Sequence, residues 1–198
     1  MATLMAPALD CALSCFVSAD PASSGARPES STYDLRCDVG AGASERLRER
    51  DARLLGALIG HACGDALGAP AEFLSSFEAQ RRWDTVDRFV GGGNAGWEPG
   101  EWTDDHAMTL CVAEGILESP NDPVEAIGQR FLAWYDAGPK DVGGTSLEAL
   151  RERRRRTSWH EAARHTPQAR RGLSAGNGSL MRVLPVALAY ADKEEMLR

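Results

Sequence analysis

The stretch TDDHAMTLCVAEGILESP, residues 103–120, contains the clearest helix signal in the chain and an unusual pair of adjacent aspartates. Apolar residues recur at helical spacing after the aspartates, and the segment stops before Pro120, so the pattern predicts an amphipathic helix. The apolar face of this helix consists of Met108, Cys111, Val112, Gly115 and Ile116. Thr103, Asp104 and Asp105 are therefore expected in its first turn.

Two roles suit three oxygen-bearing side chains at the start of a helix. Thr103 can accept a hydrogen bond from a backbone amide, and carboxylates in the first turn interact favourably with the helix dipole. The same hydroxyl and the carboxylates of Asp104 and Asp105 are hard oxygen ligands, which Mg²⁺ or Mn²⁺ prefers. Taken alone, this stretch favours capping, although one set of residues can fill both roles.

The remaining segments also show helical periodicity, and none alternates convincingly with the period of a β-strand. The sequence therefore predicts an all-α protein. The first two predicted helices are a long one over residues 45–67 and a short one over 71–83. A helix from Asp122 to Gly138 is expected to bury Val124, Ile127, Phe131 and Trp134 or Tyr135. Two helices begin at capping boxes, Thr145–Glu148 and Ser158–Glu161, and a final apolar helix is kinked at Pro185.

Glycines recur at every fourth position of the first predicted helix, at residues 56, 60, 64 and 68. Glycine inside a helix costs about 0.5–1 kcal/mol relative to alanine, so a compensating contact is expected. We expect another helix to approach closely at Gly56 and Gly60. Gly64 and Gly68 flank Asp65 and can instead make room near a ligand.

Composition limits the classes of partner. Of 198 residues, 22 are basic and 29 are acidic, and the net charge of −7 argues against a general binder of nucleic acid or anionic membranes. The arginine-rich run at residues 151–156 is interpreted as a solvated helix face. No apolar run approaches the roughly 20 residues that span a bilayer. Five cysteines without a disulfide framework suit a reducing cytoplasm.

The first 45 residues have a different composition, with prolines among serine, alanine and glycine and no sustained periodicity. They are predicted to be a disordered tail. Residues 46–198 are predicted to form the helical domain.

Three motifs in a fixed order are the most specific feature of the chain: GDALGAPAEF at residues 64–73, GEWTDDHAMTL at 100–110 and SAGNGSLMR at 174–182. Together they resemble the ADP-ribosylglycohydrolase family, the group that includes dinitrogenase reductase-activating glycohydrolase and the J1 crystallins. The resemblance covers roughly residues 53–190. It implies an all-α, orthogonal multi-helix bundle that binds two Mg²⁺ or Mn²⁺ ions and removes ADP-ribose from a modified side chain or small molecule.

The resemblance also implies roles for individual residues. Thr103, Asp104 and Asp105 would form one half of a dinuclear metal site, with the two aspartates and Glu72 as the catalytic carboxylates. Glu72 lies on a loop that is mobile in the family, and it would position substrate or transfer a proton. The substrate-binding turn would consist of Gly176, Asn177, Gly178 and Ser179, whose backbone amides at a helix start suit a phosphate.

Two further residues of the motifs have open roles. Asp65 suits a structural hydrogen-bonding role at least as well as a catalytic one. For Arg182, a structural ion pair is slightly favoured over a contact with phosphate.

The chain departs from the family pattern in two places. The D-x-D-T motif that completes the metal site is absent from the 198 residues, so the domain resembles one truncated at its C-terminus, with a final helix starting after Asp192. We therefore expect at best half a metal site, and we expect that a complementing C-terminal segment is needed.

His106 stands where the family commonly has a small residue. It is expected to point to solvent rather than to bind a softer metal. His61, His160 and His165 are expected to be structural.

The first functional hypothesis is therefore a cytoplasmic, metal-dependent hydrolase whose partner is an ADP-ribosylated protein or an ADP-ribose-containing small molecule. The alternatives are a non-catalytic ADP-ribose-binding or crystallin-like structural or interaction protein, and an inactive fragment.

Overall fold

The computed structural model describes residues 45–156, 158–169, 171 and 176–190. Within this part the chain is helical and forms no strand, apart from an isolated bridge between Gly92 and Trp97. The all-α prediction is therefore confirmed. The helices are α1 (Glu45–Gly68), a 3-10 turn (Ala69–Ala71), α2 (Ser76–Arg82), α3 (Asp104–Glu118), α4 (Val124–Asp136), α5 (Gly144–Arg155), α6 (Trp159–Ala169), α7 (Gly178–Met181) and α8 (Leu184–Ala189).

The chain divides into two compact units, Met1–Ala57 and Leu58–Arg198. The described part of the first unit is the N-terminal portion of α1, and the second unit contains every other helix. The predicted tail lies outside the described residues except for Glu45, as does the helix predicted after Asp192. Both remain predictions.

Helix α3 is the centre of the second unit. It packs against α4, α7 and α8, and its buried residues include Met108, Thr109 and Ala113. A Cβ placed on Gly115 would come 2.6 Å from the Cα of Ile127, so α4 crosses α3 closely at this glycine. The predicted helix and its buried face are both confirmed.

Helix α4 differs from its prediction at its first residue. Val124 is 41% exposed, so the expectation that it is buried is wrong. The buried residue of α4 is Gly128, which lies directly under the indole ring of Trp159 on α6. An indole seated on a glycine brings α4 and α6 together, and it leaves Val124 at the exposed start of the helix.

In the second unit, none of the other described helices packs on the glycine face of α1. Gly60, Gly64 and Gly68 are exposed, and no heavy atom lies within 4 Å of a Cβ placed on any of them. Among the residues that the structure describes, the same holds for Gly56, so the close approach predicted at Gly56 and Gly60 is wrong for this part of the chain. In the second unit, α1 buries the face that carries Leu58, Ala62 and Ala66, and the glycines occupy the opposite face.

Two predicted helix signals were misassigned. Helix α5 begins at Gly144 with Gly143 as its N-cap and no side-chain capping bond, so Thr145–Glu148 is not a capping box. Pro185 lies in the first turn of α8 and does not kink a longer helix, because α7 ends at Met181. At Ser158 the expected cap is present, since its Oγ accepts the amide hydrogen of Glu161.

The arginines of the basic run are paired within the second unit. Arg153 and Arg154 contact Glu125 and Asp136 on α4, and Arg155 and Arg156 contact Glu152. Arg151 pairs with Glu148. These ion pairs agree with the interpretation of the run as a helix face. Among the described helices, none has both the length and the hydropathy required to cross a membrane.

Candidate functional site

Asp65, near the C-terminal end of α1, organises the start of α3. Its Oδ2 accepts the backbone amides of Thr103 at 2.9 Å and His106 at 3.0 Å, and its Oδ1 accepts the Thr103 hydroxyl at 2.8 Å. These amides belong to the first turn of a helix, where they have no intrahelical partner. The structural hydrogen-bonding role considered for Asp65 is thus present in the geometry.

Thr103 is the N-cap of α3. Its Oγ1 accepts the amide of Asp105 at 3.2 Å while it donates to Asp65. A hydroxyl oxygen has two lone pairs, so one lone pair of Thr103 remains after these bonds. Thr103 is buried, and the capping role and the capacity to bind a cation coexist in one side chain.

Asp104 links the starts of α3 and α5. It is 8% exposed, and its Oδ2 accepts the backbone amide of Gly143, the N-cap of α5, at 3.2 Å. Burial raises the pKa of Asp104, an effect that the Gly143 hydrogen bond opposes and that the charge of Asp141 increases.

Asp105 is the most perturbed acid of the site. Burial raises its pKa to about 6, and the charges of Asp65 and Asp104 contribute further to the increase. A carboxyl group with this pKa exchanges a proton near neutral pH, and a cation placed beside it would restore its ionised form.

Glu72 follows the 3-10 turn after α1 and faces this acidic group. Burial and the charges of Asp141, Asp104, Asp105 and Asp65 all raise its pKa. The next residue, Phe73, is 79% exposed and has a positive φ of 62°, which is unusual for an aromatic residue. The Glu72 carboxyl is therefore carried by a strained, exposed segment at the edge of the acidic group.

Asp141 belongs to the same group, and the sequence analysis missed it. It lies in the loop between α4 and α5, where its Oδ1 accepts the amide of Val142 at 2.8 Å. Its charge acts on Glu72, Asp104 and Asp105. No local pattern marks Asp141, and the only available signal was a polar loop directly before the glycines that begin α5.

The loop that carries Asp141 is fastened by its neighbour Lys140. The Nζ of Lys140 lies 2.6 Å from a carboxylate oxygen of Glu101 and 5.4 Å from the ring centroid of buried Trp97. These contacts join the loop to the glycine-rich segment before Thr103.

The turn at residues 176–179 lies against the first turn of α5. A Cβ placed on Gly178 would be 3.4 Å from Ser146 Oγ, and one placed on Gly176 would be 3.6 Å from Thr145 Oγ1. The helix that follows, α7, has only four residues, so its dipole is weaker than the sequence suggested. Ser174, the first residue of this motif, lies outside the described residues.

Arg182 lies beside this turn, since a Cβ placed on Gly178 would be 4.0 Å from its Nη2. Its Nη1 donates to Ser146 Oγ at 3.2 Å and contacts Met108 Sδ at 3.0 Å, and the guanidinium lies 5.0 Å from the ring centroid of Phe131. Burial lowers the pKa of Arg182, which the charge of Asp104 partly offsets. These contacts support the structural role, with Arg182 joining α7 to α5.

His106 differs from its prediction. It is completely buried rather than directed to solvent, and its Nδ1 lies 3.0 Å from Nδ1 of His61 on α1. Burial, together with the nearby His61, lowers the pKa of His106 to about 4, so the ring is neutral at physiological pH. The sequence could not show this environment, because the two histidines are 45 residues apart.

The donor atoms at this site are oxygens, which is the type that a hard cation prefers. Thr103, Asp104 and Asp105 provide one hydroxyl and two carboxylates. The pKa of Asp105 is raised first by burial and then by the neighbouring charges of Asp65 and Asp104. No group of three His, Cys, Asp or Glu side chains within the described residues is arranged to hold a metal ion. Since Mg²⁺ takes six oxygen ligands, these residues would hold it only together with water or further ligands.

The structure thus brings together Glu72, Asp104, Asp105 and Thr103, all of which were selected from the sequence, and adds Asp65 and Asp141. The 176–179 turn reaches the same region through α5, because Ser146 contacts Arg182 and Gly143 contacts Asp104.

Comparisons with known proteins point to one family. A family model described as ADP-ribosylglycohydrolase matches residues 46–198. The chain is 36% identical over 137 residues to an ADP-ribosyl-[dinitrogen reductase] glycohydrolase of Rhodospirillum rubrum, covering 69% of this chain and 44% of that protein. It is 32% identical over 141 residues to ADP-ribosylarginine hydrolase Tri1 of Serratia proteamaculans, covering 67% of this chain and 35% of that protein.

A solved structure gives the same result. A chain of an ADP-ribosylglycohydrolase-related protein complex superposes with a TM-score of 0.53 at 35% sequence identity, covering 76% of this chain and 47% of that chain. The predicted helical fold type is therefore confirmed. The present chain spans less than half the length of each of these three relatives.

Proposed function

Because the chain belongs to the ADP-ribosylglycohydrolase family, we propose that it acts as a metal-dependent hydrolase of the glycosidic bond between ADP-ribose and a modified side chain or small molecule. The observation that carries this proposal is the start of α3, where buried Asp104 and half-buried Asp105 follow Thr103 and raise the pKa of Glu72. Two relatives whose names specify hydrolysis of ADP-ribosyl groups support the substrate class.

Thr103, Asp104 and Asp105 would hold Mg²⁺ or Mn²⁺. A divalent cation held there would supply Lewis acidity toward the ribose hydroxyls and toward a water molecule. The protein's own contribution is to orient the ligands: Asp65 fixes Thr103, and the Gly143 amide fixes Asp104. Both contacts are made by groups of the protein itself, so they would orient the ligands of the cation without help from the substrate.

Glu72 would transfer a proton during cleavage. Its raised pKa keeps a larger fraction of the carboxyl group protonated near neutral pH than for an ordinary glutamate, so it can donate to a departing group. Asp141 would support this role by raising the same pKa. The backbone amides of the 176–179 turn would bind the phosphates.

A second candidate function, binding of ADP-ribose without turnover, is favoured by one observation. The described residues provide two carboxylates and one hydroxyl at the start of α3, which is about half of what a hard cation requires. A complementing segment with further acidic ligands would then be needed for catalysis.

Release of ADP-ribose from an ADP-ribosylated arginine peptide tests the two functions. Hydrolysis that requires Mg²⁺ or Mn²⁺ and is abolished in Glu72→Gln would support the hydrolase. Tight ADP-ribose binding without release of product in either metal would support the binding protein. Binding and turnover that are both absent would overturn the proposal.

A further inference from the structure

His61 and His106 form a direct contact inside the second unit. Their Nδ1 atoms are 3.0 Å apart and their ring centroids 5.2 Å apart. The other ring nitrogen of His61, Nε2, lies 2.7 Å from the carbonyl oxygen of Met181. His61 on α1 therefore connects α3 with the end of α7.

The Met181 carbonyl determines which nitrogens carry hydrogen. A carbonyl oxygen only accepts, so Nε2 of His61 must be the donor, and in a neutral imidazole Nδ1 of His61 is then an acceptor. With His61 in this tautomer, Nδ1 of His106 carries the hydrogen and donates it to Nδ1 of His61.

The same carbonyl has a second contact from α3. Thr109 Oγ1 lies 3.2 Å from the Met181 oxygen and 2.7 Å from the carbonyl oxygen of Asp105. Met181 ends α7, the helix that directly follows the 176–179 turn. The position of the turn is thus tied to the first turn of α3 through Met181.

Asp65 lies one turn after His61 on α1. Asp65 holds the amides of Thr103 and His106, whereas His61 holds the Met181 carbonyl and the His106 ring. One face of α1 therefore holds the acidic start of α3 through Asp65, and it holds the 176–179 turn through the contact between His61 and Met181.

We propose that the His61–His106 pair is a positioning element that sets the 176–179 turn at a fixed distance from Asp104 and Asp105. This inference rests on the proposed function, since a ligand that contacts the turn and the aspartates together, such as ADP-ribose, is sensitive to that distance. A small cation that is bound by the aspartates alone is not sensitive to that distance. Loss of the pair should therefore weaken binding of ADP-ribose and leave binding of the metal alone unchanged.

The variant His61→Phe keeps a ring of similar size and removes both hydrogen bonds. We expect it to weaken ADP-ribose binding at least tenfold in calorimetry, while Mn²⁺ binding in the absence of ADP-ribose stays within twofold of the unmodified chain. His61→Gln retains an N–H donor and should recover part of the loss. His160→Phe, at an exposed position on α6, is the matched control and should behave as the unmodified chain.

Two results would overturn the proposal: ADP-ribose binding by folded His61→Phe at the unmodified affinity, or equal losses of Mn²⁺ and ADP-ribose binding. The tautomers provide an independent test that needs no ligand. Long-range ¹H–¹⁵N spectra of the unmodified chain at pH 7.5 should show hydrogen on Nε2 of His61 and on Nδ1 of His106. Hydrogen on Nε2 of His106 with a bare Nδ1 would contradict the proposed arrangement.

The tests separate this inference from the proposed function. If the unmodified chain shows the expected tautomers but does not bind ADP-ribose, the proposed function fails. The positioning role of the histidine pair is then tested by its effect on the conformation of the 176–179 turn. In that case, His61→Phe should still shift the amide resonances of Gly178 and Ser179. Unchanged resonances would overturn the positioning role.

Discussion

Asp65 and Thr103 are joined by two hydrogen bonds, from the amide and the hydroxyl of Thr103 to the two oxygens of the Asp65 carboxylate, at 2.9 and 2.8 Å. The contact bridges 38 residues of sequence and attaches the end of α1 to the start of α3. It accounts for the position of the adjacent aspartates, because they occupy the helical turn that Asp65 fixes.

Replacement of Asp65 should destabilise the fold. Asp65→Ala removes the acceptor for three hydrogen bonds at the start of α3, and bonds to charged groups contribute about 1.5–3 kcal/mol each, so we expect a net loss of about 3 kcal/mol. Urea unfolding followed by circular dichroism measures this loss. Asp87→Ala, at an exposed position, should change the unfolding free energy by less than about 0.5 kcal/mol. Equal effects of the two variants would contradict the role of Asp65.

Two helix glycines should respond oppositely to alanine. Gly115→Ala places a methyl group 2.6 Å from the Cα of Ile127, and overpacking of this kind costs about 1–3 kcal/mol. Gly60→Ala meets no atom within 4 Å and should stabilise the helix by about 0.5–1 kcal/mol. Thermal unfolding of the pair checks both signs. Destabilisation by Gly60→Ala would mean that another element packs on that face.

Neutralising Asp105 should stabilise the metal-free protein in a pH-dependent manner. The pKa of Asp105 is raised to about 6, above the roughly 3.9 of an unfolded chain, so the folded state binds more protons between these values and loses stability as pH rises through them. In chelator at pH 7, Asp105→Asn should be about 1–2 kcal/mol more stable than the unmodified chain. This free energy is smaller than the full pKa difference implies, because Asp105 is half exposed and solvent screens its charge.

The pH series contains its own control. At pH 4 the unmodified carboxyl is protonated in the folded state, so the difference between the two proteins should nearly vanish. Protonation of His106 changes the unfolding free energy of both proteins equally, so it cancels in the difference between them. A difference that stays constant from pH 4 to pH 7 would show that the pKa of Asp105 is not raised.

Cys111 should be chemically inert in the folded protein. Burial raises the pKa of its thiol to about 12, so very little of the reactive thiolate is present at pH 8. Iodoacetamide at pH 8 should label the half-buried Cys63 at least ten times faster than Cys111, as measured by peptide mass spectrometry. The two rates should converge in denaturant. Fast labelling of Cys111 without denaturant would indicate that α3 is not buried as described.

Features that depend on local spacing were predictable from the sequence. Helix α3 was identified from its apolar period and Pro120, and Thr103 from its position before the aspartates. Val124 shows the limit of this approach, because apolar character alone does not reveal whether a neighbouring helix covers the residue. The glycine face of α1 shows the same limit, since spacing identified a face but not what lies against it.

Features that depend on long-range contacts were not predictable. Asp141 joins the acidic group only because the loop before α5 folds back to place Gly143 on Asp104. His106 is buried and lies beside His61, and nothing in the sequence near either histidine indicates the other. Single-sequence patterns report local geometry, whereas these contacts depend on how α1, α3 and α5 pack.

Calorimetric titration of ADP-ribose into the chain, with Mn²⁺ or Mg²⁺ and with chelator, tests the central claim most directly. The matched variant is Asp104→Asn with Asp105→Asn, which keeps an oxygen for the Gly143 amide and removes both charges. We predict binding that requires the metal and is lost in the folded double variant. Binding that is absent in every condition, or that is unchanged in the variant, would show that the two aspartates only cap α3.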